Sequence, residues 1–74
     1  MTHSEFRCLN VGDNVRITRA LFGVPTGTTG AVQHRYWRGA VYGVAIDCLR
    51  PPKGKKVYER EINLWDADPL EKLF

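Results

Sequence analysis

The segment His34-Arg35-Tyr36-Trp37-Arg38-Gly39 has the richest chemistry in this 74-residue chain. Arg35 and Arg38 bracket Tyr36 and Trp37. Guanidinium groups neutralise phosphates and carboxylates, and aromatic faces stack on bases. The same residue types build protein hot spots, because Trp, Tyr and Arg bury large areas at modest entropic cost. The alternative is structural: Tyr36 or Trp37 folds over the end of the protein as core. A second basic stretch, Lys53-Gly54-Lys55-Lys56, follows Pro51-Pro52 and reads as a solvated loop.

Other chemistries lack parts. A phosphate-cradling loop needs Gly-x-x-x-x-Gly-Lys and then a hydroxyl. Gly54-Lys55-Lys56-Val57 has no hydroxyl there, and the run from Gly23 to Gly30 has no lysine. His3, His34, Cys8 and Cys48 show no paired metal-ligand spacing, so no metal or other cofactor is expected. Glu59 and Glu61 share a strand face and could do acid–base work, but read as a solvated face opposite lysines. No nucleophile, base and orienting group stand together in the pattern, so the chain reads as non-enzymatic.

Charge is segregated. From Asn14 to Tyr58 there are eight bases and one acid, a balance of +7; from Glu59 to Phe74 there are five acids and two bases, −3. A basic body with an acidic end implies an anionic partner for the body, or a tail folded back onto it. There is no apolar run long enough to span a membrane and no apolar signal core, so a cytoplasmic protein is expected, with Cys8 and Cys48 as free thiols.

The elements that must position these groups are short strands. Gly12-Asp13-Asn14 is a turn, after which Val15 and Ile17 alternate with Arg16 and Thr18. Val24-Pro25-Thr26-Gly27 fits a β-turn. Gly30 opens a second strand reaching about Tyr36, and marks a bulge or a close backbone approach. Trp37-Arg38-Gly39 is a hairpin connection. In the third strand Tyr42, Val44, Ile46 and Cys48 face inward, with Val41, Gly43, Ala45 and Asp47 outward. Tyr58, Ile62 and Leu64 suggest a fourth strand and a last short crossing. Asp68-Pro69-Leu70-Glu71 has the residue types of a capped helix start. A turn that short cannot stand alone, so Leu70, Leu73 and Phe74 must dock on the barrel, on another copy or on a partner. The first ten residues have weak periodicity, which leaves partial fraying open.

The stretches Gly12-Asp13-Asn14-Val15-Arg16-Ile17, Thr29-Gly30-Ala31-Val32, Tyr42-Gly43-Val44-Ala45-Ile46-Asp47 and Glu61-Ile62 together resemble the Src-homology-3-like small barrels, over roughly residues 11–65. Proteins with this look include ribosome- and transcription-associated KOW modules, the E protein of photosystem I, the variable chain of ferredoxin–thioredoxin reductase and plasmid-type dihydrofolate reductase. The last carries a Val-Gln-Ile-Tyr stretch that this chain lacks. The resemblance implies a mostly β fold: a five-stranded antiparallel Src-homology-3-like barrel, here with a short C-terminal helical turn.

The expectation is thus one domain over residues 1–74, with the barrel at 11–65 and a tail at 66–74. It is a non-catalytic module binding an acidic protein partner through Arg16, Arg35, Tyr36, Trp37, Arg38, Lys53, Lys55 and Lys56. The alternatives are a nucleic-acid-binding module using the same residues, and an oligomeric enzyme with a central pore. In an up-and-down meander the Trp37 hairpin and the lysine loop lie at opposite ends, and outward-facing Arg16 and Arg35 could bridge them.

Overall fold

The structure, a computed structural model, describes residues 1–20, 23–47 and 49–73. Five antiparallel strands form one curled sheet, a half-barrel, in the order β4-β3-β2-β1-β5. They are β1 (Asn14–Ile17), β2 (Thr29–Tyr36), β3 (Val41–Ile46), β4 (Glu59–Asn63) and β5 (Leu70–Leu73). One short helix, α1 (His3–Arg7), and two 3-10 turns, η1 (Trp37–Gly39) and η2 (Leu64–Asp66), are the remaining elements among the described residues. No helix among the described residues is long and apolar enough to cross a membrane.

The alternation read from the sequence sets the inner face. Val15, Ile17, Val32, Tyr42, Val44, Ile46 and Ile62 are all buried in one core. Gly30 lies where β2 is pressed against β3: a Cβ there would stand 2.7 Å from the Ala45 carbonyl oxygen and 2.8 Å from a Val44 methyl. The expected close approach is therefore at Gly30, while the bulge falls between Val32 and His34. The turn before β2 closes from the Thr28 N–H to the Pro25 carbonyl, one residue later than predicted, with Gly27 at φ 91°. Cys48, expected on the inner face, lies outside the described residues.

The two ends of the chain depart from expectation. Residues 68–73 do not begin a helix. The Leu70 N–H closes one turn onto Ala67, the Thr18 N–H then takes the Pro69 carbonyl at 2.7 Å, and the chain continues as β5 beside β1. A free helical turn would gain almost nothing in water, whereas the open side of β1 has main-chain groups that need partners. Leu70 is buried opposite Ile17, so the tail docks in cis. Leu73 is half-buried, and Phe74 lies outside the described residues.

Nor are the first ten residues frayed in this structure. Thr2 caps α1 and forms a capping box with Glu5, each side chain bonding the other residue's backbone N–H. Phe6 and Leu9 reach the core. The Phe6 ring meets Tyr42 edge-on at 4.9 Å, and the Tyr42 hydroxyl donates to the Leu9 carbonyl at 2.9 Å. The Met1 amino group donates to the carbonyls of Ala67 and Leu70, beside β5.

Candidate functional site: an aromatic and basic end

The sheet register decides which candidate residues meet. Val41 pairs with Asn63, and the Leu64 N–H donates to the Ala40 carbonyl at 2.9 Å. This brings η1, between β2 and β3, beside η2, which follows β4. Both carry an exposed tryptophan: Trp37 is 80% exposed and Trp65 is 79% exposed. These are the chain's two tryptophans. Neither folds over the barrel as core, and Tyr36 is also exposed, at 42%.

The η1 backbone is unusual. Trp37 and Arg38 have φ of 54° and 55°, followed by Gly39 at 86°. For side-chain-bearing residues this left-handed region is costly, and such strain persists where surrounding contacts impose it. The contact here is α1. A Cβ on Gly39 would stand 2.6 Å from the Arg7 carbonyl oxygen, so only glycine lets η1 pass this close to the helix.

Three guanidinium groups gather at this end. Arg35 Nε donates to the Tyr42 hydroxyl at 3.3 Å, and its Nη2 to the Arg7 carbonyl at 3.2 Å. Arg7 Nη1 lies 3.5 Å from the Arg38 carbonyl. Arg35 does not lie outward beside Arg16, as predicted. The bulge before His34 reverses the alternation, so Arg35 pairs with inward-facing Tyr42 at the mouth of the core. Among the described residues none of Arg7, Arg35 and Arg38 forms an ion pair with a carboxylate.

The remaining candidates divide. Arg16 is paired with Glu71 at 3.0 Å, and Arg19 with Asp68 at 3.3 Å, across the β1–β5 junction. The acidic tail thus folds back on the basic body, one of the two arrangements that the charge segregation allowed. Lys53, Lys55 and Lys56 lie in the β3–β4 loop at the opposite end of the sheet, as the meander requires. Pro52, Lys55, Lys56, Val57 and Glu59 line a cleft of about 250 Å³ there.

Glu59 and Glu61 share the outer face, but Glu59 meets His34 rather than a lysine. Its Oε1 lies 2.5 Å from His34 Nδ1, and the His34 ring stacks on Tyr36 at 5.8 Å. Among the described residues no three His, Cys, Asp or Glu side chains are grouped to hold a metal. No protein-family model, curated protein or solved structure matches this chain.

Sequence reasoning missed Trp65 and Arg7. Trp65 sits in a stretch with no other aromatic residue, and only the β3–β4 register brings it to the Trp37 end. Arg7 lies in the segment whose weak periodicity left partial fraying open, although Thr2-x-x-Glu5 carried the capping-box signal.

Proposed function

We propose that this protein is a non-catalytic binding module on a Src-homology-3-like barrel, docking an acidic protein partner at its η1–η2 end. The five-stranded antiparallel curl of the sheet supports the barrel reading. The exposed thiol of Cys8 suits the reducing cytoplasm.

One observation carries the functional reading. The acidic tail engages Arg16 and Arg19 in cis, while Arg7, Arg35 and Arg38, beside Trp37, have no carboxylate partner among the described residues. The uncompensated charge thus stands at the two ends of the sheet, the lysine loop and the η1 end, and at the η1 end it coincides with exposed aromatic area. An anionic surface is the complement of such a patch, and charge complementarity would speed encounter and fix orientation. The site contracts from the eight predicted residues to Arg35, Tyr36, Trp37 and Arg38, with Arg7 and Trp65 added.

The nucleic-acid reading is less well supported. A strand of phosphates needs a continuous cationic track. Arg16, which could bridge the two basic ends, is already paired with Glu71, and the outer face of β4 carries Glu59 and Glu61.

The test is a titration of the protein with a short peptide of alternating Glu and Asp, followed by tryptophan fluorescence. Binding is expected to weaken as salt rises from about 50 mM to about 500 mM, as screening shortens the reach of the charges. A flat titration at low salt would overturn the reading.

A further inference from the structure

We infer that Trp37 and Trp65 together form a two-ring platform that takes one large apolar side chain from within the acidic partner segment. This rests on the acidic-partner reading and specifies the partner's chemistry. It uses a residue, Trp65, to which neither the motif pattern nor the charge argument assigned a role.

Three observations converge. First, two indole rings, each about four-fifths exposed, stand on neighbouring turns at one end of the sheet. Each can bury about 150–250 Å² when covered. A purely carboxylate segment would satisfy the arginines and leave the rings wet, so the full complement carries apolar area as well as charge.

Second, η1 holds two consecutive side-chain-bearing residues in left-handed backbone, pinned by the approach of Gly39 to α1. Elsewhere among the described residues, positive φ occurs only at glycine. Strain confined to the residues that project the ring and the adjoining guanidinium fits a preset recognition element.

Third, the arginines beside Trp37 set the occupant's charge. A second copy docking through the same end would bring Arg7, Arg35 and Arg38 against their own counterparts, three guanidinium groups to the single carboxylate of η2, Asp66. The occupant is therefore a foreign segment with acidic residues flanking an apolar one.

The experiment compares three probes: a short alternating Glu/Asp peptide, the same peptide with a central Phe, and single-stranded oligo-dT. Binding to wild type, Trp65→Ala, Trp37→Ala and Trp65→Phe is read by fluorescence and calorimetry. The Phe peptide is expected to bind about tenfold more tightly than its Phe-free parent, with each Ala variant erasing that difference and Trp65→Phe restoring part of it. Both rings are exposed, so truncation leaves the core intact, and circular dichroism checks this. Equal, salt-sensitive binding of both peptides would overturn the platform while leaving the acidic-partner reading in place. Binding of neither would end both. Tighter binding of oligo-dT than of either peptide would replace both with nucleic-acid recognition. A dimer in sedimentation that Trp65→Ala dissolves would make a second copy the occupant, against this inference.

Discussion

At the scale of single residues, the telling position is Arg38. Its φ of 55° is a conformation that glycine adopts freely and arginine does not. The left-handed penalty of about 1–2 kcal/mol is offset by glycine's greater unfolded-state entropy, about 0.5–1 kcal/mol. Arg38→Gly is thus expected to raise stability by about 0.5 kcal/mol, read from the denaturant midpoint, while weakening acidic-peptide binding. Stability gained together with affinity lost would mark η1 as strained for recognition. A stability loss would mean that the Arg38 side chain supports the fold. Gly39→Ala should go the other way, since its Cβ would meet the Arg7 carbonyl at 2.6 Å. A loss of about 2 kcal/mol is expected from the clash and the backbone conformation together, and denaturation measures it.

At the scale of elements, β5 and α1 close the fold at its two termini, and each makes a prediction. Leu70 is buried against Ile17, so Leu70→Ala should cost about 3 kcal/mol through lost burial and a cavity. A solvated helical tail would lose far less on the same change, and urea denaturation separates the two. In α1, the Thr2 hydrogen bonds hold the Glu5 carboxyl below its ordinary value of 4.5. A lowered folded-state pKa stabilises the helix above the unfolded value, and that contribution fades as pH falls through the folded value. Protection of the Thr2 and Glu5 amides should therefore weaken as a sample is acidified from neutral pH to below 4.5, and Glu5→Gln should flatten the trend. The same elements show how far the sequence could be read. Strands β1 to β3 were legible because alternation at Val15 and Ile17, and at Tyr42, Val44 and Ile46, reports a local period. β5 was not, because Asp68-Pro69-Leu70-Glu71 has helix-start chemistry, and only the unpaired side of β1, distant in sequence, makes it a strand. Trp37 and its arginines were legible as a cluster, but the bulge that turns Arg35 inward left no mark beyond an ordinary Gln33. Trp65 depended on a register that no local pattern encodes.

At the scale of the whole molecule, the distribution of charge matters more than the net value of +3. The acidic C-terminal segment silences one cationic region and leaves two, the tryptophan end and the lysine loop, at opposite ends of the sheet. A binding site defined only by total charge would respond alike to losing any arginine. One defined by local, uncompensated charge would not. Arg16 already has Glu71 as its partner, so Arg16→Gln trades one exposed ion pair for a free carboxylate well away from η1. Exposed pairs of this kind are worth roughly 0–1 kcal/mol, so stability should barely change. Affinity for the Phe-containing acidic peptide should also stay within about twofold of wild type, since charges beyond a Debye length of about 10 Å are largely screened at 0.1 M salt. Arg38→Gln removes a cation that has no carboxylate partner among the described residues, beside Trp37. It should weaken binding about three- to tenfold at low salt, with the difference shrinking as salt is raised. Titrating both variants across salt concentrations distinguishes the alternatives. Equal losses would mean that the basic surface acts as one diffuse field, and a larger loss for Arg16→Gln would move the binding surface to the β1–β5 side.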